Sequence, residues 1–256
     1  MTSLHFSDRV ELPIYYLSAK KIVKFLLTII FFLIVLNLIE RIYISWFNIN
    51  HESQIVSYYF NFDQEFNLPS LYSALALGFS SYLLSIIAVI KKGTKSSYAR
   101  YWKTLAFIFL YLGIDEACSI HELLNPIVRK ATNAQGFFYF AWVIPAFFLL
   151  AIFLLIFRKF IFHLPIQTRT LFVLAGFIYV GGALGMELIG GYIADNLGYN
   201  RIYGIVSSIE EILEMLGIVI FIYGLLTYIQ SQINELHFSL SFQAPIKKIN
   251  QRTKVS

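Results

Sequence analysis

The stretch Leu105–Glu122, LAFIFLYLGIDEACSIHE, changes character at its midpoint. Its first eight residues carry no charge, whereas its last eight include three carboxyls and one imidazole. An uncharged run of this kind favours a helix in a membrane, where every backbone N–H and C=O must be paired internally. The acidic end needs a separate explanation, because an ionised side chain at the centre of a span costs roughly 2.5–3.5 kcal/mol on insertion scales.

The whole chain shares the apolar character of this stretch. Of its 256 residues, 58% are hydrophobic and 14% are charged, compared with about 25% charged residues in soluble domains. Apolar runs of roughly 17–25 residues are long enough to cross a bilayer as helices, and the sequence contains six of them: 22–39, 70–90, 102–121, 137–157, 170–190 and 204–229. The sequence therefore predicts an all-α, polytopic transmembrane bundle with six spans.

Lysine and arginine are concentrated in alternate connections between these runs. The positive-inside rule then places both termini in the cytoplasm, in a membrane of the plasma or bacterial inner type. The predicted parts outside the bundle are a cytoplasmic N-terminal segment (1–21), an aromatic external loop at the interface (40–69) and a basic cytoplasmic tail (230–256). Because polar residues precede the first run and no cleavage site follows it, we expect a retained helix rather than a signal peptide.

Other features exclude some functions and structures. The basic residues are distributed by side of the membrane, so the net charge of +5 does not indicate nucleic-acid binding. Cys118 is the only cysteine, so the chain forms no internal disulfide. The expected partner is the lipid bilayer.

With this orientation, three helices carry their acids toward the external side. These helices are the third, fifth and sixth, and their carboxyls are predicted to converge in one cleft. The predicted metal ligands are the five expected to point inward, with three second choices. The inner set is Asp115, Glu122, Glu187, Glu211 and Glu214, and the second choices are Glu116, His121 and Glu210.

Several ionised carboxyls in one pocket would repel each other, so they require protons, basic partners or a cation. A divalent cation is the simplest remedy, since oxygen ligands suit Mg²⁺, Mn²⁺ or Ca²⁺ and one imidazole extends the choice to Fe or Zn. The competing interpretation is structural: interfacial water solvates the acids, and nearby bases pair with them. In that case Arg201 would pair with Glu210 or Glu211, and Arg129 or Lys130 with Glu122.

Three functions are compatible with such a cleft. The first is a metal-dependent enzyme acting on a lipid or another membrane-soluble substrate, with Glu122 or His121 as the catalytic base. The second is a proton- or cation-coupled transporter, which with only six helices would require a homodimer. The third is a non-catalytic subunit or sensor. The acids stop near mid-membrane, and this favours a dead-end cleft over a continuous pathway.

Two smaller features carry predictions of their own. Gly181 and Gly185 form a G-x-x-x-G pattern, which predicts close packing of a neighbouring helix, with a local break near Glu187 as the alternative. His51 and Glu52 lie in the first external connection, where His51 is a candidate to cap the acidic site.

Overall fold

The computed structural model describes residues 18–47 and 59–232, and these residues are almost entirely helical. His51 and Glu52, and most of the two terminal segments, lie outside the described residues. The described helices are α1 (Ala19–Phe47), α2 (Leu68–Gly93), α3 (Ala99–Cys118), α4 (Leu124–Thr132), α5 (Val143–His163), α6 (Ile166–Val180), α7 (Glu187–Leu197) and α8 (Arg201–Gln232).

Five helical segments are long and apolar enough to cross a membrane. They are Ala19–Ile44, Leu68–Gly93, Val143–His163, Ile166–Leu197 and Arg201–Gln232. A sixth crossing results if α3 and the bent segment after it, His121–Thr132, are counted as one span. The described residues therefore form an all-helical structure with five or six candidate membrane helices, in agreement with the predicted class.

Helix α8 is the centre of the bundle. It packs against α1, α2, α6 and α7, while α2 and α3 form an antiparallel hairpin. Small residues allow the close approach of α6: a Cβ on Gly217 would lie 2.8 Å from the Tyr179 Cβ, and one on Gly224 would lie 3.1 Å from the Phe172 ring. Burial of α8 inside the bundle thus depends on glycine at these two contacts.

Helix α1 is longer than predicted, and its final turns belong to the bundle. The predicted loop 40–69 begins inside this helix, which continues to Phe47. Arg41 explains the extension, because its guanidinium donates to Asp63 Oδ1 at 2.7 Å and to the Gly204 carbonyl at 2.7 Å. These bonds join α1, the segment before α2 and the start of α8, so a position predicted as loop is held as helix by tertiary contacts.

Helix α3 ends earlier than predicted, at Cys118 instead of residue 121. Ser119 adopts a left-handed backbone conformation (φ 47°), which terminates the helix, and the chain resumes at an angle of 71°. Asp115 and Glu122 therefore do not lie on one continuous helical face. They are brought near each other by a turn.

Two further boundaries differ from the prediction. The span predicted at 137–157 begins later, at Val143, because Gly136–Phe138 forms a separate 3₁₀ turn before α5. The span predicted at 170–190 extends from Ile166 to Leu197, with a π-helical segment (Gly181–Met186) between α6 and α7. No break in the chain direction occurs at Glu187, so the alternative of an interrupted helix is not what the structure contains.

The π-helical segment also changes which glycine makes the close contact. A Cβ on Gly182 would lie 2.9 Å from the Glu210 carbonyl oxygen, whereas one on Gly181 or Gly185 would meet nothing within 4 Å. The G-x-x-x-G prediction is wrong in its register. The wider π turn rotates the following face of the helix relative to an α-helix, and this moves the contact by one position.

The two ends of the bundle differ in charge. At one end, the lysine at the end of α2 lies over the ring of Tyr228 near the end of α8, with Lys91 Nζ 5.4 Å from the ring centroid. At the opposite end, Arg41 joins α1 to the start of α8. We call the end that contains Lys91 the basic end. The end that contains Arg41 is called the acidic end, because the carboxyls of the described residues lie toward it.

Candidate functional site

Asp115 and His121 form the most closely defined pair at the acidic end. The His121 backbone N–H donates to Asp115 Oδ1 at 2.9 Å, and the His121 ring Nδ1 lies 2.9 Å from Asp115 Oδ2. Since an ionised carboxylate only accepts hydrogen bonds, the Nδ1 proton is the donor in this contact. The turn after Cys118 makes the pair possible, because it folds the chain back onto the last turn of α3.

The other imidazole nitrogen of His121 faces a second carboxyl. His121 Nε2 lies 3.8 Å from Glu122 Oε1, which is beyond hydrogen-bond distance. The His121 ring also packs against the Trp142 indole, with 4.7 Å between the ring centroids. The ring is thus oriented on one side by Asp115, while Nε2 is directed toward the carboxyls.

A series of hydrogen bonds leads from Glu122 to the start of α7, which lies beside α8. Asn125 donates to Glu122 Oε2 at 2.7 Å and accepts from the Trp142 backbone N–H at 3.0 Å. The Trp142 indole N–H donates to Glu187 Oε1 at 2.7 Å, and the Glu187 carboxyl lies beside the carboxyl of Glu210. We call Asp115, His121, Glu122, Glu187 and Glu210 the histidine group.

Four further carboxyls make up a second set beside the first. The carboxyl of Glu116 interacts electrostatically with those of Glu211, Glu214 and Glu65, and with Asp115 of the histidine group. Tyr179 of α6 also lies near Glu214 and Glu116. We call Glu65, Glu116, Glu211 and Glu214 the glutamate group, and the two groups together the acidic cluster.

Glu65 is a member of the cluster that the sequence analysis missed. It precedes α2 in a segment predicted to be an interfacial loop, and its Oε2 accepts a hydrogen bond from the Ser119 hydroxyl at 3.0 Å. Burial raises the pKa of the Glu65 carboxyl, although the hydrogen bond from Ser119 opposes the shift. The only signal in the sequence was an acid close to the Asn67–Ser70 capping box that begins α2.

One carboxyl oxygen of the cluster has no partner. Glu211 Oε2 is buried and makes no hydrogen bond with any residue that the structure describes. A buried polar atom without a partner costs free energy, so its presence points to a proton or ligand. As the side chains stand, however, no three His, Cys, Asp or Glu residues among those described are arranged to hold a metal ion.

The predicted structural alternative depended on bases that do not pair with the cluster. Arg129 donates to the Tyr139 carbonyl and lies 4.0 Å from the centroid of that ring. Within residues 18–47 and 59–232, the ion pairs of the cluster involve His121 alone, and neither Lys130 nor Arg201 forms one. Neutralisation by lysine or arginine therefore does not account for these carboxyls.

All eight predicted residues belong to this one region of the molecule, together with Glu65. Glu116, which was predicted as a second choice, has its largest electrostatic interactions with Glu211 and Glu214 of the inner set. Trp142 and Asn125 were also missed, because neutral side chains in an apolar sequence give no sign of the carboxyls that they bind.

The fold and the cluster define a helical protein with membrane-spanning character and carboxyls gathered at one end. Residues 25–229 match the model of a family described as a domain of unknown function (DUF8692). Because this match covers most of the chain, the protein belongs to that family.

No curated protein and no solved structure shows a significant match to the chain.

Proposed function

We propose that the acidic cluster is a cation-binding active site that acts on a lipid or another membrane-soluble substrate. The buried Oε2 of Glu211 carries the proposal, because it lies among carboxyls without a hydrogen-bond partner in the described part of the chain. An unpaired carboxyl oxygen in such a place is suited to accept a cation or a proton.

Charge balance supports a cation. Eight carboxyls and one imidazole lie together, and no lysine or arginine among the described residues forms an ion pair with them. The neighbouring carboxyls of Glu187 and Glu210 would repel each other if both were ionised, so they require a proton or a cation. A bound cation would replace protons of this kind and relieve the repulsion.

The donor chemistry fits a divalent cation. The glutamate group offers carboxylate oxygens, the preferred ligands of Mg²⁺, Ca²⁺ and Mn²⁺, and His121 Nε2 adds a ligand suitable for Fe or Zn. Glu211, Glu214 and Glu116 are the residues that would hold it, and their side chains would have to rotate toward a common point. The bound cation would polarise a carbonyl or phosphoryl oxygen and acidify a bound water.

His121 is the proposed base. Asp115 fixes the proton on Nδ1, so Nε2 carries the lone pair, and a carboxylate partner raises the basicity of an imidazole. Glu122, 3.8 Å away, would receive or return the proton. Such an arrangement serves acid–base chemistry in addition to binding.

The opposite half of the bundle supports a dead-end cleft over a transmembrane pathway. Trp102 packs between Phe160 and Tyr228, at centroid distances of 5.0 and 4.8 Å, and closes the centre of the basic end with apolar side chains. The described residues offer no carboxyl there to continue a proton or cation route.

Elemental analysis of the purified protein tests the cation. We expect stoichiometric metal in the wild-type protein and a loss of at least about 90% in a Glu211→Gln, Glu214→Gln double variant. Asp195→Asn is the matched control, since this exposed acid bonds to the Gly136 N–H outside the cluster. Wild-type protein without metal, after purification in the absence of chelators and incubation with each candidate ion, would contradict the proposal.

Lipid extracts test the enzyme. A strain lacking the protein is complemented with the wild-type chain, His121→Gln or Asp195→Asn, and total lipids are compared by mass spectrometry. We expect the His121→Gln strain to match the deletion strain and the Asp195→Asn strain to match the wild type. Identical extracts from all four strains would exclude a lipid substrate.

The second candidate is a proton- or cation-coupled transporter. The observation in its favour is the close placement of the Glu187 and Glu210 carboxyls, because a proton held between two carboxyls can exchange with a cation. Proteoliposomes containing a pH-sensitive dye should then show cation-driven proton flux that Glu210→Gln abolishes. Flux by the wild-type protein together with unchanged lipid extracts would contradict the enzyme proposal and support the transporter.

A further inference from the structure

A groove at the basic end is separate from the acidic cluster. It has a volume of about 500 Å³ and lies between α1 and α8. Its lining includes Leu27 and Phe31 of α1 and Tyr223 of α8. Lys20 and Lys24 also line it, and they lie nearer the start of α1, which defines its mouth here. None of these residues belongs to the proposed active site.

The α1 residues of the groove lie on one stripe of the helix. Lys20, Lys24, Leu27 and Phe31 are spaced by four, three and four residues, which keeps them on a common face. At a rise of ~1.5 Å per residue, Phe31 is ~10 Å further along the axis than Lys24. Positive charge at the rim and apolar surface below it correspond to the headgroup and acyl chain of a membrane lipid.

The polar groups of the groove are matched to an anion. Lys20 and Lys24 are exposed, and neither forms an ion pair with a carboxyl of the described residues. The Thr28 hydroxyl is already used, because it donates to the Lys24 carbonyl at 2.8 Å. Lys20 and Lys24 are therefore the cationic groups of the lining, and both are available to an anion.

The packing of α1 leaves this face open. Only 17% of the most apolar stretch of α1 is buried in the protein, compared with 56% of the corresponding stretch of α8. Helix α1 packs chiefly against α8. A groove with such apolar walls is filled with hydrocarbon when the helix lies in a bilayer.

We propose that this groove binds an anionic phospholipid. The phosphate would lie between Lys20 and Lys24, and one acyl chain would pass along Leu27 and Phe31 against Tyr223. The argument rests on the charge complementarity at the mouth and is independent of the active-site proposal, because the two sites share no residue. Basic residues at the end of a transmembrane helix are suited to such headgroups.

Native mass spectrometry of the full chain in detergent tests the site. The protein is titrated with phosphatidylglycerol and, separately, with phosphatidylcholine of the same acyl chains. We expect phosphatidylglycerol to bind about tenfold more tightly at low salt, and this preference to shrink as salt screens the lysines. Equal binding of the two lipids would overturn the proposal.

Two variants separate the headgroup from the acyl chain. Lys20→Gln with Lys24→Gln should remove the preference, and Leu27→Trp should weaken both lipids by filling the groove while the lysines remain. The control is Lys92→Gln with Lys95→Gln, which removes the same charge from the basic end outside the groove. Equal loss of preference in the control would show general attraction to the basic end and would overturn the site.

Residues 1–17, which precede the described part of the chain, provide a last outcome. If lipid binds only after residues 1–17 are deleted, that segment occupies the groove in the full chain and the proposal is wrong. Unchanged thermal unfolding of each variant in detergent shows that the protein remains folded, so that a loss of lipid reports the site.

Discussion

The acidic end and the basic end share helices α3 and α8 but are packed in opposite ways. At the basic end, α3, α5, α6 and α8 meet through aromatic rings around Trp102, whose side chain is 1% exposed. At the acidic end, α3, α7 and α8 meet through carboxyls, an imidazole and an indole N–H. The basic end is stabilised by the packing of aromatic rings, and the acidic end by hydrogen bonds.

The difference shows where stability and function reside in this molecule. Apolar packing around Trp102 requires no ligand, since the aromatic rings there contact one another directly. The acidic end keeps a buried oxygen of Glu211 that no described residue pairs with, and it gathers eight carboxyls. An arrangement that is costly for folding and confined to one end is typical of a functional site.

The largest effect should come from the aromatic end. Replacing Trp102 with alanine leaves a cavity at a fully packed position and should lower the free energy of unfolding by about 3–5 kcal/mol. Unfolding in detergent, followed by far-UV circular dichroism, measures the change. Leu110→Ala on the same helix is the control, because that side chain is 45% exposed and should change stability by under about 1 kcal/mol. Equal losses would mean that the aromatic end is not the stable half.

The contact between the π-helical segment and α8 should give the next effect. Gly182→Ala places a Cβ 2.9 Å from the Glu210 carbonyl oxygen, which should cost about 1–3 kcal/mol and displace Glu210 from Glu187. Gly185→Ala is the control within the same segment, since its Cβ would meet nothing within 4 Å. If the Gly185 variant were the less stable of the two, the register of this contact would be incorrect.

Arg41 allows a test of the polar contacts that join α1 to the acidic end. Arg41→Met leaves Asp63 and the Gly204 carbonyl without their donor, and should cost about 1–2 kcal/mol because the site is only partly buried. Arg41→Lys should lose less, since a charge remains although the forked geometry does not. Thermal unfolding of both variants measures the effect, and an Arg41→Met protein as stable as the wild type would contradict it.

The smallest expected effect is a pH dependence from Glu65. Burial raises the pKa of its carboxyl above the ordinary 4.5, so the folded state binds this proton more tightly than the unfolded state. The resulting stability is fully present below the unfolded-state pKa and is lost as the pH rises through the folded-state pKa.

Glu65→Gln removes this titration and can keep the hydrogen bond from Ser119. Its stability relative to the wild type should therefore increase with pH over this window, as measured by melting temperatures across a pH series. Asp195→Asn, outside the cluster, should run parallel to the wild type. A constant difference between the Glu65 variant and the wild type would contradict the assignment.

The convergence of acids from three helices could be predicted from local patterns, because orientation and helical rise place residues along an axis. The residues that contact these acids could not be predicted in this way. His121 meets Asp115 only because Ser119 turns the chain, and nothing in the apolar pattern of α3 announces a turn at that residue. Glu65 enters the site from a segment whose composition resembles an interfacial loop.

The helix boundaries also depend partly on local sequence and partly on tertiary contacts. The predicted spans overlap the observed helices because hydrocarbon demands local pairing of the backbone, and apolar runs record that demand residue by residue. Their ends depended on neighbours: Arg41 extends α1 through contacts with Asp63 and Gly204, which lie far from it along the chain.

The helical class, the membrane character and the concentration of carboxyls near one end are readable in the amino-acid order, since solvent and periodicity act locally. The membership of the acidic cluster required the folded molecule. A left-handed residue after Cys118, a π-helical segment before Glu187 and the docking of Glu65 each redirect a side chain, and such redirections depend on contacts between parts of the chain that are distant in sequence.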